Sequence, residues 1–277
     1  EGCFRAKILA PFATKYQTQH IPLKAKYPGG FDALFLLGFM NLLPATLSGK
    51  DRPAIDALSS DQLWQDCQDT IKRSIGLFEQ AGYDLDVEDY HFTILLGNPE
   101  KPMLQLNKGY SGDGGIPGYL MLSLLPNDYT LPRVQAALAH ECNHNVRFQF
   151  VKWNQQTTLA DWVVSEGLAE SFAAELYGKD LIGSWVTSTS PEQLEEIKPI
   201  ISSQLQLTGM AEMAPYLYGD EIAKIQGQIP VGMPYAAGYA YGYHLIQAYL
   251  KKTGKSIIEA TVTSTEEILE ATKDFWK

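Results

Sequence analysis

The segment "ALAHECNHNVRF", residues 137–148, places His140 and His144 four residues apart, with Glu141 directly after the first histidine. The turns before it, "VQAALA", are apolar and small, as expected of a helix packed inside a protein. Residues four apart lie on one face of a helix, so both imidazoles can face one ion. This HExxH pattern predicts a zinc site with Glu141 as the base that acts on water. The alternative is a chance match on a helix whose polar residues face solvent.

A catalytic zinc site usually has three protein ligands, so a third must come from elsewhere in the chain. The extended metzincin pattern fails, because Arg147 and Phe150 stand where glycine and histidine are needed. The inverted HxxEH motif fails at Asn143. The remaining histidines show no obvious pairing: His20, His91 and His244.

A carboxylate on a second helix is the better candidate. The segment "DWVVSEGLAESFAAELY", residues 161–177, is apolar nearly all round, which predicts a buried helix. Glu166 and Glu170 lie one turn apart on it, so Glu166 is the expected zinc ligand and Glu170 the acceptor for a ligand's ring N–H. Gly167 leaves room for a neighbouring helix. Solvated glutamates are the alternative, and Asp161 or His244 would be the next ligands to test.

Three motifs carry a resemblance to known proteins: "HECNHNVRF" (140–148), "VSEGLAESF" (164–172) and "GYAYGYHLIQAYLKK" (238–252). HExxH followed by Glu166, 22 residues after His144, resembles the gluzincin metallopeptidases, the clan of thermolysin. The three motifs together resemble a bacterial family of predicted zinc-dependent proteases of unknown function, over about residues 85–255. The resemblance implies His140, His144 and Glu166 as Zn²⁺ ligands, Glu141 as general base and Glu170 as the carboxylate that orients a ligand.

The pattern of elements predicts an α+β protein, and the resemblance implies a thermolysin-like zincin. We expect a mostly helical region over 1–84 and a catalytic domain over 85–277. In that domain, 85–150 would hold a small sheet and the active-site helix, and 151–277 a helical lobe. Segment by segment, we predict helices at 31–43, 58–83 and 215–227, and a long helix that contains HExxH and is capped by Thr130. We also predict strands at 90–98 and 119–125, and a glycine-rich loop at 111–118. The resemblance further implies that the strand 119–125 is an exposed edge, where an extended peptide substrate pairs.

A donor to the developing oxyanion is expected on "PYAAGYAYGYHLIQAYL", residues 234–250. Gly238 and Gly242 form a small face that would let this helix pack on the Glu166 helix. Tyr239 and Tyr243 lie beside that face, and His244 is a further candidate. The alternative is that these tyrosines only fill the core.

Composition limits the partners. The net charge of −10 leaves no basic excess for nucleic acid as the main partner. The apolar stretch 31–44 is too short for a transmembrane segment, so a buried helix is favoured over a membrane-surface element. Three cysteines without a CxxC pair favour a reducing compartment, and we expect a cytoplasmic protein.

The expected function is a zinc peptidase, and an endopeptidase in particular. Ser165 stands where many aminopeptidases have asparagine, and no GAMEN-like motif for a substrate amino terminus is present. Two alternatives stay open. One is a zinc hydrolase of another amide or ester, and the other is an inert peptidase fold used as a binding or regulatory module.

Overall fold

A short three-stranded sheet organises the first half of the chain in the computed structural model, which describes residues 2–40 and 47–276. Its strands are β1 (His91–Leu96), β2 (Tyr110–Ile116) and β3 (Tyr119–Leu124), in the order β1-β3-β2. β1 runs parallel to β3, with His91 opposite Tyr119. β2 runs antiparallel to β3, with an irregularity in register between Asp113 and Ile116.

Two expectations about this sheet are wrong. The strand predicted at 119–125 is not an edge, because β3 lies between β1 and β2. The glycine-rich segment predicted as a loop forms β2, which is an edge strand of this sheet. Glycines disfavour strands through their entropy, but here they are required. A Cβ at Gly112 or Gly114 would lie 2.0 or 2.4 Å from atoms of Glu141 on the neighbouring helix.

The helices of the described part of the chain carry the labels used below. They are α1 (Gly2–Phe4), α2 (Ala13–Thr18), α3 (Ala33–Met40), α4 (Arg52–Leu58), α5 (Asp61–Gln80), α6 (Pro102–Leu106), α7 (Val134–Phe150), α8 (Leu159–Tyr177), α9 (Ser184–Thr187), α10 (Pro191–Ser202), α11 (Met210–Tyr218), α12 (Asp220–Ile225), α13 (Ala237–Thr253), α14 (Ile257–Val262), α15 (Thr265–Ala271) and α16 (Lys273–Trp276). Short π or 3₁₀ turns lie at Arg5–Leu9, Ala10–Phe12, Gly49–Asp51, Leu131–Arg133 and Lys179–Leu181.

Alternate residues of β3 face two different cores, as the two-residue period of a strand requires. Leu120, Leu122 and Leu124 join the main core with α5, α7, α8 and α13. Met121 faces a smaller core formed with the residues of the N-terminal helices. The sheet therefore separates an N-terminal helical layer from the main helical body. Lys15 of α2 reaches across to Asp113 of β2, with 2.8 Å between Nζ and Oδ2.

Helix boundaries follow the capping chemistry of the sequence. Thr158 caps α8 by accepting a hydrogen bond from the Asp161 amide, and α8 ends at Gly178, whose φ is 91°. Ser60 caps α5 in the same way. Thr130 was expected to cap α7, but its side chain instead donates to the Leu125 carbonyl, and a 3₁₀ turn precedes the helix.

The described part of the apolar stretch, residues 31–39, is only half buried. Ala33 and Leu37 of α3 lie in the smaller core, whereas Phe35 and Phe39 are exposed. The expected helix to residue 43 and the apolar stretch to 44 run past residue 40, and positions 41–46 lie outside the described residues. In the part of the chain that is described, no helix combines the length and apolarity that crossing a bilayer requires.

The α+β class predicted from the sequence is confirmed. The boundary at residue 84 stays a prediction. Helix α5 lies before it, yet Cys67, Ile71 and Phe78 of α5 pack in the main core with α7.

Candidate metal centre

Helix α7 is buried from Ala136 to Arg147, which is why its polar residues need partners inside the protein. Asn145 supplies one set of contacts. Its Nδ2 donates to the carbonyls of Gly114 and Tyr119, at 2.7 and 3.0 Å, and its Oδ1 accepts from the Gly118 amide. The side chain of Asn145 thereby fixes α7 against the β2–β3 turn.

The other side of α7 is fixed by Arg147, whose side chain is fully buried. Its guanidinium donates to the carbonyls of Thr261 and Thr263, at 2.8 and 3.0 Å, and to the hydroxyl of Ser165 on α8. Burial lowers the pKa of Arg147 to about 10, so the side chain stays charged at neutral pH. Helix α7 is therefore held on one side by the sheet and on the other by α8 and the C-terminal helices.

Three buried groups converge between α7 and α8. The Nε2 atoms of His140 and His144 lie 3.1 Å apart, and each lies 3.3 Å from Oε2 of Glu166. These side chains form a group whose ligand atoms could hold one metal ion. Two atoms bound to one tetrahedral zinc ion lie about 3.3–3.4 Å apart. The donor set and its spacing therefore fit zinc.

The hydrogen bonds of His140 also suit a metal ligand. Its Nδ1 lies 2.8 Å from Oε2 of Glu170. Because an ionised carboxylate only accepts, Nδ1 carries a proton, and Nε2 is the nitrogen that would bind a metal ion in the cluster. Glu170 is in turn held by the Gly183 amide and by Nε1 of Trp185.

Charge and burial shift the pKa values of Glu166 and His140 in opposite directions. Burial raises the pKa of Glu166, but the charge of His144 and hydrogen bonds from His140 and His144 lower it to about 2. Burial lowers the pKa of His140, but hydrogen bonds to Glu166 and Glu170 bring it well above its ordinary value. His140 thus prefers a positive charge beside these glutamates, and a bound cation would meet the same preference.

Glu141 lies on the side of α7 that faces β2. A Cβ at Gly112 would lie 2.0 Å from Oε1 of Glu141, so only glycine leaves room for this carboxylate. Burial raises the pKa of Glu141, the charges of His140 and His144 lower it, and the net effect is a raised pKa. A carboxylate with a raised pKa is better suited to accept a proton near neutral pH.

Helices α8 and α13 cross at two glycines, as the sequence predicts. A Cβ at Gly167 would lie 2.1 Å from the carbonyl oxygen of Gly242, and one at Gly242 would lie 2.0 Å from that of Val163. Gly238 instead allows close packing on α11, since its Cβ would lie 2.6 Å from the Cα of Leu217. The crossing brings the first turns of α13 towards Glu166.

The three expected oxyanion donors on α13 have different surroundings. Tyr239 is influenced by the charge of Glu166 and is hydrogen-bonded to Tyr218. Tyr243 packs in a small core that contains Ile182 and Val186. His244 lies beside Tyr243, and burial and the charge of Lys198 lower its pKa. Of these three, Tyr239 is the one whose pKa responds, beyond burial, to the charge of Glu166.

Tyr218 and Trp185 belong to the site but were missed in the sequence. Tyr218, the last residue of α11, lies with its ring 5.6 Å from that of Trp162, whose Nε1 donates to Oε1 of Glu166. The ring of Trp185 lies 6.1 Å from that of His140. The sequence predicted one helix over 215–227, but Gly219, with φ 88°, separates α11 from α12 and leaves Tyr218 at a helix end. Gly219 is itself the kind of residue that ends a helix, so it was the signal in the sequence that could have placed Tyr218 at a helix end.

A family model described as "Predicted Zn-dependent protease (DUF2268)" matches residues 63–270. The chain is 34% identical over 270 residues to the Uncharacterized protein YjfC of Bacillus subtilis (strain 168), covering 97% of this chain and 90% of YjfC. It is 26% identical over 155 residues to the Uncharacterized protein YjaZ of the same organism, covering 54% of this chain and 55% of YjaZ. No solved structure matches.

Proposed function

Because the chain belongs to the family described as predicted Zn-dependent proteases (DUF2268), we propose that it is a zinc peptidase whose ion is held by His140, His144 and Glu166. The convergence of three buried ligand atoms at 3.1–3.3 Å carries this proposal. A solvated helix face, the alternative left open by the sequence, does not account for side chains that are at most 8% exposed. The gluzincin type and the thermolysin-like fold remain part of the proposal.

The roles of the chain's own groups follow from their positions. A zinc ion bound there supplies a Lewis acid that polarises a carbonyl and makes water a nucleophile near neutral pH. Glu141 takes the proton from the attacking water and passes it to the leaving amine. Glu170 keeps His140 in the tautomer that presents Nε2.

The developing oxyanion needs a donor that stays protonated. Burial and the charge of Glu166 raise the pKa of both Tyr218 and Tyr239, so their hydroxyls keep their protons at neutral pH. We assign the donor role to this hydrogen-bonded pair. We rank Tyr243 and His244 below this pair, because beyond burial the pKa of Tyr243 responds to the charge of Glu170 rather than Glu166, and that of His244 to the charge of Lys198.

Strand β2 is the surface on which a peptide substrate would lie. It is an edge strand, and its exposed residue Gly112 lies against the carboxylate of Glu141. A peptide that extends the sheet along β2 would bring a carbonyl beside the general base. This arrangement supports a peptide over other amides or esters, and the missing amino-terminus motif supports internal cleavage.

A mixed peptide library tests the proposal. The zinc-loaded protein should cleave internal peptide bonds, a chelator should abolish cleavage, and zinc should restore it. The variant Glu141→Gln should keep one zinc per chain and lose turnover by at least about 100-fold, because an amide does not accept the proton. Parental turnover in that variant would remove Glu141 from its role.

Two other outcomes identify the alternatives. Hydrolysis of small esters or non-peptide amides, without peptide cleavage, would indicate a different zinc hydrolase. A folded protein that binds no zinc and stays inert after zinc addition would indicate a binding module.

A further inference from the structure

The N-terminal layer presents a row of aromatic side chains to solvent. Phe31, Phe35 and Phe39 recur at every fourth position, which places them on one side of α3 and the turn before it. They are 52, 53 and 63% exposed, and Tyr27 is 70% exposed. The rings of Phe31 and Phe35 touch, with centroids 5.9 Å apart. Contiguous exposed apolar groups of this kind mark an interaction surface rather than ordinary surface scatter.

Basic side chains lie beside these aromatic residues. Asp32, at the start of α3, accepts hydrogen bonds at 3.0 Å from the amide of Ala25 and at 2.8 Å from Arg5. Ala25 is flanked by Lys24 and Lys26, both exposed, so these two lysines lie beside the first turn of α3. We call Tyr27, Phe31, Phe35 and Phe39, together with Lys24 and Lys26, the aromatic–lysine face.

The charge of this layer is opposite to that of the whole chain. Residues 2–40 contain five basic residues, Arg5, Lys7, Lys15, Lys24 and Lys26, but one acidic residue, Asp32. Asp32 is 4% exposed and is paired with Arg5, so no carboxylate within residues 2–40 is presented to solvent. The chain as a whole carries −10. Lys15 is buried and paired with Asp113. Lys7, Lys24 and Lys26 therefore supply the exposed positive charge on the layer that carries the aromatic rings.

We propose that the aromatic–lysine face docks this protein onto the surface of an anionic lipid bilayer. Aromatic rings enter the boundary between headgroups and acyl chains, while lysines meet lipid phosphates. The complementary charge orients the molecule, because the remaining acidic surface is repelled by the same lipids. An α3 of eight residues lies on a bilayer and does not cross it. This inference does not depend on the peptidase proposal.

Vesicle sedimentation with the full chain tests the docking. Parent protein should bind vesicles of phosphatidylglycerol mixed with phosphatidylcholine, bind pure phosphatidylcholine at least about tenfold more weakly, and release as salt rises. The double variant Phe35→Ser/Phe39→Ser should reduce partitioning roughly tenfold or more. The double variant Lys24→Gln/Lys26→Gln should reduce it by about fivefold for each lysine.

Matched controls carry the same chemical changes elsewhere on the surface. Ile229→Ser removes an apolar side chain that is 83% exposed, and Lys179→Gln/Lys251→Gln removes two exposed lysines. Both controls should bind like the parent.

Three results would overturn the proposal. One is a parent protein that does not bind anionic vesicles at low salt. This measurement does not depend on whether a variant folds. Another is parental binding by the phenylalanine or lysine variants. The third is a lipid-free dimer, seen by analytical ultracentrifugation, that Phe35→Ser/Phe39→Ser dissociates, which would make the face a contact between copies.

Discussion

Glu170 shows how a single residue can fix the orientation of a side chain in the candidate centre. Its carboxylate accepts hydrogen bonds from Nδ1 of His140, from the Gly183 amide and from Nε1 of Trp185. The residue is 2% exposed. Three donors fix the orientation of this carboxylate, and its hydrogen bond to Nδ1 in turn fixes the orientation of the His140 ring. In the proposed zinc site, the ligand His140 would therefore be positioned by a residue that does not itself contact the ion.

We predict that Glu170→Gln weakens zinc affinity or peptidase activity on the order of 10–100-fold. The amide keeps the shape but loses the charge that favours the Nδ1–H tautomer of His140. Zinc affinity from a competing chelator and the kcat–KM pair measure the effect. Glu175→Gln is the control, since Glu175 lies on the same helix and is exposed. Equal affinity and activity in both variants would reduce Glu170 to a packing residue.

The tyrosine pair allows a second prediction at this scale. Replacing Tyr218 or Tyr239 by Phe removes a hydroxyl and keeps the ring, so turnover should fall on the order of 100-fold for the tyrosine that meets the oxyanion. Zinc content should stay at the parental level. Tyr243→Phe should stay within a few-fold of the parent, because beyond burial the pKa of that hydroxyl responds to the charge of Glu170 rather than Glu166. If both Tyr218→Phe and Tyr239→Phe behave like Tyr243→Phe, the donor lies elsewhere.

The sequence shows groups that share a helix more clearly than groups that meet across the fold. His140 with His144, and Glu166 with Glu170, are each separated by one helical turn, so helix geometry alone puts each pair on one face. Tyr218 reaches the same site from 52 positions beyond Glu166, at the end of α11 and directly before the break at Gly219. Trp185 follows a connector. Such contacts depend on tertiary packing, which has no local period to read.

At the scale of elements, β2 was misinterpreted for a physical reason. The segment "SGDGG" has the composition of a loop, and glycine costs a strand conformational entropy. Here the missing side chains are what lets α7 lie against the strand, because Gly112 and Gly114 both face Glu141. A requirement set by a neighbouring helix is invisible in strand propensities. The correction also moves the proposed substrate edge from β3 to β2.

The close approach at Gly112 predicts a selective effect on activity. A Cβ there would lie 2.0 Å from Oε1 of Glu141, the mobile end of a side chain, so Gly112→Ala should displace the carboxylate rather than unfold the strand. Turnover should fall at least about tenfold, with zinc content and melting temperature near parental values. Gly115→Ala is the control, because its nearest heavy atom would lie 3.9 Å away. Similar turnover in the two variants would contradict this packing of Glu141 against β2.

At the scale of the whole molecule, the sheet separates two helical bodies that the sequence did not distinguish. The sequence grouped residues 1–84 by their helical patterns. In the structure α5 packs with α7 in the main core, while Leu9, Phe12 and Tyr16 pack on the other face of the sheet. Helical periodicity shows that a helix has a buried face, but not which face of the sheet it covers. The apolar helix α3 was expected to be buried, yet its residue Phe35 is exposed, which the sequence pattern alone does not show.

The candidate centre joins α7 to α8, the two helices at the middle of the main core, so its occupancy should control global stability. A ligand that binds only the folded chain stabilises it by about 4 kcal/mol at a thousandfold excess over Kd. For a chain of this size, removal of zinc by a chelator should therefore lower the melting temperature on the order of 10 °C. Differential scanning calorimetry, with zinc added back at a buffered free concentration, measures the shift. Glu166→Gln should show a much smaller response to zinc, because one of the three converging donors no longer carries charge. A melting temperature that is the same with and without zinc in the parent would mean that these helices hold together without a metal, and that His140, His144 and Glu166 serve another purpose.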